Sequence, residues 1–293
     1  MPEYKAASAQ VDAPATPGAH EHEQHNQRAE AGHPDIMRFP AADFDVREYA
    51  RTAAASHRDE LGLETYRSNP LSAEALRILR YLQVIERATM THLRSVLVTA
   101  THKDARITAF LTTWAFEKYW IADAFEQIGL AHQPEGTDVD RAPFITPPEK
   151  TIRESIVANI IGVPMIAVHM TLGTIDTWLS KAAYARLVAL EPHPQLEKTI
   201  ATFQALKDRQ LEFFEAQSRY RLTESRRARK LTRRRLKRTP WPIGAKAEPK
   251  EETVFFFDRL FGSARDLIAE LDARIDSLPG QSGLALIRKA AHQ

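Results

Sequence analysis

The chain contains no cysteine. Disulfides, thiolate metal sites, iron–sulfur clusters and cysteine nucleophiles are therefore excluded, while the redox compartment stays open. Glycine is scarce, with 11 in 293 residues, and the 17 prolines gather in a few connecting stretches. That leaves long uninterrupted segments suited to helices. No apolar run approaches the roughly 20 residues of a membrane span. Residues 1–18 lack the apolar stretch of a secretory signal, so the expectation is a cytoplasmic protein without a transmembrane segment. No Gly-rich phosphate loop, nucleophile elbow or His-Glu-x-x-His motif occurs, which argues against phosphoryl transfer and triad hydrolysis.

What is present is ordinary globular composition, 43% apolar and 27% charged, enough for a sizeable core. Residues 1–42 hold Pro14, Pro17, Pro34 and Pro40 among Ala, Glu, Gln and His and read as a disordered tail. His20, His22, His25 and His33 in this tail could catch zinc or nickel, although a solvated polar stretch is the simpler reading. Residues 43–66 read as a short amphipathic helix (Phe44, Val46, Tyr49, Leu61, Leu63, Tyr66) packed outside the main body.

Four long periodic segments follow. The first starts after Ser72, an N-cap with Glu74 close behind, and runs to about residue 100 on a stripe of Leu79, Leu82, Met90, Leu93 and Val96/Leu97. The second, about 105–129, carries Ile107, Phe110/Leu111, Trp114, Ile121, Ala124 and Ile128, and Gly129 is expected to end it. About twenty loop residues come next, too many for a bundle hairpin, then a short helix near 149–161. The third segment runs from about 165 to 190. After the turn Glu191-Pro-His-Pro194, the fourth covers about 195–238 with Leu196, Ile200, Phe203, Phe214 and Tyr220. Helix, short turn, helix, long crossover, helix, short turn, helix predicts an all-α protein: a four-helix bundle with one long crossover over 43–240, and a C-terminal helical extension over 241–293.

Several polar residues fall on the apolar stripes. Glu86 lies four after Leu82 and seven before Leu93. Glu117 lies three after Trp114 and four before Ile121. Asp176 lies four after Leu172 and three before Leu179. Lys207 and Gln210 lie four and seven after Phe203. Placing a polar residue mid-core on every helix is costly unless those residues meet.

Tyr81-Leu-Gln-Val-Ile-Glu86 resembles the first ligand helix of ferritin-like di-iron proteins. Phe110-Leu-Thr-Thr-Trp114-Ala-Phe-Glu117-Lys-Tyr-Trp120 resembles the second, in the pattern of the acyl-carrier-protein desaturase branch. Thr171–Arg186 and Ala205-Leu-Lys-Asp-Arg-Gln-Leu-Glu-Phe-Phe214 resemble the third and fourth. The resemblance covers roughly 74–240 and is one of pattern, without a signature motif. It implies a ferritin-like bundle whose first two ligand carboxylates fall on Glu86 and Glu117. The histidine position falls on Trp120, and the fourth-helix Glu and His fall on Lys207 and Gln210. The third-helix carboxylate falls on Asp176 or Thr174.

With both histidines and at least one carboxylate replaced, the expectation is a metal-free, degenerate site and no cofactor. Its core would be an ion pair of Glu86 and/or Glu117 with Lys207, completed by Gln210 and Asp176, in a protein that serves as a binding or scaffold module. The rival is an iron-dependent oxidoreductase acting on an acyl or other apolar substrate, with two iron ions held by Glu86, Glu117 and Asp176 joined by His92 or His169.

The stretch 226–238 holds nine basic residues (Arg226, Arg227, Arg229, Lys230, Arg233, Arg234, Arg235, Lys237, Arg238) and no acid. The chain as a whole carries +2 and this run +9, so the remainder carries −7. Arginines all round a helix are expected to make it project past the bundle end. The simplest reading is a solvated helix end that complements the negative C-terminal dipole; the functional alternative is a site for an acidic protein or an anionic surface. Nucleic acid is disfavoured because no aromatics are interleaved for stacking. Beyond Pro240-Trp-Pro-Ile-Gly244, the cluster Val254-Phe-Phe-Phe257 with Leu260 and Phe261 must be covered, by the bundle's outer face first and by a homodimer partner second.

Overall fold

Two short helices open the described part of the chain, α1 (Val46–Arg51), capped by Asp45, and α2 (Leu63–Ser68). In this computed structural model the residues described are 44–134 and 162–292, within a compact unit spanning Pro40–Gln293. They are all-helical, with ten α-helices and no strand among them. The long helices start where the sequence offers a cap. Ser72 Oγ accepts the Ala75 N–H at 3.2 Å to open α3 (Ala73–Leu97). Asp104 Oδ1 accepts the Ile107 N–H at 3.0 Å to open α4 (Ala105–Ala131). Proline in the first turn starts both α5 (Pro164–Leu190) and α6 (Pro194–Glu224), where its missing N–H costs nothing.

The helices α3 and α4 pair through a short 3₁₀ turn, α5 and α6 through Glu191–His193, and the two hairpins face each other through α3 against α5 and α4 against α6. Contacts at the ends fix the directions. The Leu71 N–H donates to His132 Nε2 at 2.9 Å, Ser72 Oγ donates to Glu191 Oε2 at 2.6 Å, and His193 Nε2 lies 2.9 Å from the Asn69 carbonyl. At the other end, Thr101 Oγ1 lies 2.8 Å from His169 Nδ1, and Arg221 Nη2 donates to Asp104 Oδ2 at 3.2 Å. So α4 and α5 run parallel, and α5 starts at the opposite end of the bundle from where α4 finishes.

Several expectations are corrected. Gly129 does not end α4, which continues to Ala131. Residues 43–66 are not one helix on the outside: α1 and α2 are separate, and Tyr49 and Tyr66 are both buried. Tyr66 stacks on His193 with ring centroids 4.9 Å apart. The fourth segment does not run to 238. Ser225 breaks it in extended conformation, and its hydroxyl accepts the Ala228 N–H to start α7 (Arg226–Leu236). Nor does α7 project. Ala228, Thr232 and Leu236, at i, i+4 and i+8, form a narrow buried stripe that packs on α5, since one small or apolar residue per turn suffices to seat a helix otherwise lined with arginine. The expected 1–42 tail with its histidines and the helix near 149–161 lie outside the described residues.

The chain ends in α8 (Lys250–Phe261), α9 (Arg265–Asp276) and α10 (Leu286–Ala291). Phe256, Phe257, Leu260 and Phe261 are buried, and α8 lies on both α3 and α5, so these four are covered within the chain, while Val254 stays 39% exposed. Because α6, α7, α8, α9 and α3 all pack on α5, that helix is buried nearly all round. Its hydroxyls return to its own carbonyls: Thr171, Thr174, Thr177 and Ser180 each donate to the residue four before, and Thr171 also lies 2.8 Å from the Ser218 hydroxyl of α6.

A buried ion network in the bundle core

Each long helix delivers one charged side chain to the same level of the core. Glu86 comes from α3, Lys118 from α4, Asp176 from α5 and Lys207 from α6, and all four are buried. Lys207 Nζ donates to Glu86 Oε1 at 2.8 Å, and Lys118 Nζ lies 3.1 Å from Glu86 Oε2 and 3.1 Å from Asp176 Oδ2. Tyr184 adds an O–H donated to Glu86 Oε1 at 2.6 Å. Asp176 Oδ1 accepts the Ile243 N–H at 3.0 Å. That last contact depends on the turn after α7 pressing onto α3. Gly244 has φ +97°, and a Cβ there would stand 2.8 Å from the Ala88 Cβ, so glycine is required. Two carboxylates and two ammonium groups make the network neutral, which answers the cost of burying each charge.

The electrostatics follow the partners. Burial pushes the Glu86 carboxyl up, but Lys118 and Lys207 outweigh it and hold the group down at about 2. Burial pushes Lys118 down, but Asp176 and Glu86 outweigh it and raise the ammonium to about 12. Among the described residues Lys207 has Glu86 alone as its ion-pair carboxylate, and burial, with Lys118 repelling it, leaves its pKa lowered. Burial and the Glu86 charge hold the Tyr184 phenol well above its ordinary range.

A second network lies on the other side of α4. Glu117, fully buried, accepts the Tyr49 O–H at 2.6 Å, the Gln210 Nε2–H at 2.9 Å and the Ala54 N–H at 3.2 Å. Three neutral donors hold this carboxylate, with no ammonium or guanidinium hydrogen-bonded to it among the described residues. Tyr49 is pushed above its ordinary range by burial and by the Glu117 charge.

The structure thus joins Glu86, Lys207 and Asp176 in one network and Glu117 and Gln210 in another. Trp120 belongs to neither; it is half-buried and meets Phe116 and Tyr119 edge-on. Thr174 turns back to the Met170 carbonyl at 2.9 Å, so the third helix presents Asp176. His169 bonds Thr101 at the bundle end. Sequence reasoning missed three residues. Lys118 met the criterion that singled out Glu117, lying four after Trp114 and three before Ile121. Tyr184 lies eight after Asp176 on the same face of α5. For Tyr49, arriving from outside the bundle, the sequence holds no signal.

Two irons, implied by the resemblance, do not fit these donors. Both Glu86 oxygens face ammonium nitrogens, both Asp176 oxygens are engaged, and Glu117 is held by three donors. Two lysine charges stand where cations would have to sit, and among the described residues no three His, Asp or Glu side chains gather as metal ligands.

The basic run is sorted by face. Arg229 Nη1 donates to the Leu222 and Thr223 carbonyls at 2.9 Å, and Arg233 Nη1 donates to the Ser282 carbonyl at 2.7 Å. Arg226, Arg227, Lys230, Arg234, Arg235, Lys237 and Arg238 are exposed. No helix among the described residues is long and apolar enough to cross a membrane. Compared with known proteins, the chain matches no family model, no curated protein and no solved structure.

Proposed function

We propose that the chain is a metal-free bundle of ferritin-like topology acting in the cytoplasm as a binding or scaffold module, with a salt-bridged core in place of a di-iron site. The observation that carries this reading is Lys118 bridging Glu86 and Asp176 while Lys207 takes the other oxygen of Glu86. A carboxylate neutralised by two ammonium groups has neither the free lone pairs nor the net negative charge that a divalent cation needs. Two antiparallel hairpins with α4 and α5 running parallel support the topology.

The test is metal content of the untagged full-length chain, produced in iron- and manganese-supplemented medium and treated with a chelator to strip surface sites. The expected result is below about 0.1 metal per chain. A chelator-resistant ratio near one or two, abolished in Glu86→Ala, overturns the reading and restores the oxidoreductase.

A further inference from the structure

The outward face of α7 carries charge that nothing else in the described structure uses. At 3.6 residues per turn, Arg226, Arg227, Lys230 and Arg234 fall within an arc of about 100°, and Lys237 and Arg238 follow in the turn after the helix ends at Leu236. That arc lies opposite the buried stripe of Ala228, Thr232 and Leu236. Among the described residues none of these six side chains makes a hydrogen bond or ion pair, whereas Arg229 and Arg233, flanking the stripe, are tied to carbonyl groups.

The array works against its own helix. Arg226, Lys230 and Arg234 are like charges at i, i+4 spacing, which destabilises a helix, and Arg226 and Arg227 oppose the dipole at its N-terminus. Packing on α5 holds the helix in place all the same, so the charges are presented in a fixed, preorganised row.

We propose that this face docks the protein on an anionic phospholipid membrane, with α7 lying along the surface and its cations on headgroup phosphates. This inference goes beyond the proposed function and does not rest on it. The partner class follows from what the arc holds and lacks. Four of the six are arginines, whose planar forks bind phosphate oxygens in pairs. No apolar or aromatic side chain lies among them to anchor a protein interface or to stack on bases. A membrane requires none of these, because mobile anionic lipids gather under a row of charge. The remainder of the chain carries −7, which turns α7 toward a negative plane and the rest away from it.

The experiment is co-sedimentation of the full-length chain with vesicles of phosphatidylcholine alone, or with about one-third phosphatidylglycerol, at about 50 and about 300 mM salt. Binding is expected only to the anionic vesicles and is expected to weaken with salt. At about fivefold per cation near such a surface, the triple variant Arg226→Gln, Lys230→Gln, Arg234→Gln lowers partitioning about 100-fold with an unchanged circular-dichroism spectrum. A charge-matched control, Arg47→Gln, Lys103→Gln, Lys198→Gln, keeps wild-type binding. Equal binding to neutral vesicles, or equal loss in the control, overturns the proposal. So does tighter binding to a short DNA duplex that the triple variant abolishes, which would make the face a nucleic-acid surface.

Discussion

Glu117 and Lys118 are consecutive residues, yet their side chains enter different buried networks: Glu117 meets Tyr49 and Gln210, while Lys118 meets Glu86 and Asp176. Successive side chains on a helix diverge by about 100°, so α4 divides the core chemistry by one step of sequence. The Lys118 side is a neutral set of full charges. The Glu117 side is one carboxylate held by neutral donors. The two should respond differently to substitution.

Removing an ammonium leaves a buried carboxylate uncompensated, which typically costs about 3–5 kcal/mol. Lys118→Met strips Asp176 and Glu86 together, whereas after Lys207→Met Glu86 still faces Lys118 and Tyr184. Lys118→Met is therefore expected to be the more destabilising of the two in urea denaturation. Glu86→Gln combined with Lys207→Met should cost less than the two single losses added together. Single losses below about 1 kcal/mol, the range of exposed pairs, would refute a tightly coupled network.

The acid limb of stability tests Glu86 in particular. Its folded pKa, about 2, lies below the ordinary 4.5. Its contribution is therefore present above about pH 4.5 and is lost as pH falls towards 2, with a size of roughly 3 kcal/mol. At the alkaline end Lys118, raised to about 12 from 10.5, contributes stability that is full below 10.5 and lost as pH rises through 12. The lowered Lys207 acts in the opposite sense and shrinks that loss. Denaturation of wild type and Glu86→Gln at pH 6 and pH 3 should show the gap between them closing at the lower pH. A gap that stays constant would place the Glu86 effect in packing rather than in charge.

The parts legible in the sequence are those that obey helical periodicity. Ser72 marks a start because capping chemistry is local, and the inward positions of Glu86, Glu117, Asp176, Lys207 and Gln210 follow from spacing to Leu82, Trp114, Leu172 and Phe203. Lys118 is equally legible, by its spacing to Trp114 and Ile121. The break at Ser225 and the seat of α7 were hidden by the arginines around Ala228, Thr232 and Leu236. The Tyr49–Glu117 bond joins residues 68 apart, and no local pattern encodes such a pairing.

Tyr49→Phe isolates that long-range bond. The ring's stacking on Phe110, centroids 5.2 Å apart, survives the change, but Glu117 Oε2 is left with Gln210 as its remaining donor. A hydrogen bond to a charged group is worth about 1.5–3 kcal/mol, and the loss should fall in that range. Pairing Tyr49→Phe with Glu117→Gln in a double-mutant cycle should recover a coupling of similar size. Zero coupling would mean that the phenol does not stabilise the carboxylate.

Two glycines inside long helices should respond to alanine with opposite signs. At Gly129, on α4, a Cβ meets nothing within 4 Å. There Gly129→Ala keeps the helical gain of about 0.5–1 kcal/mol and raises Tm. At Gly173, on α5, the Cβ would stand 2.2 Å from Phe214 Cε1 and 2.5 Å from Cδ1. That ring is fully buried and braced edge-on by Phe110 at 4.9 Å and Trp114 at 5.2 Å, so it cannot swing aside without disturbing both. Overpacking of this kind costs about 1–3 kcal/mol, which exceeds the helical gain, and Gly173→Ala lowers Tm. If both variants were stabilised, α5 and α6 would have to separate at this level without loss. The close approach that brings Asp176 and Lys207 into one network would then not depend on the missing side chain at Gly173.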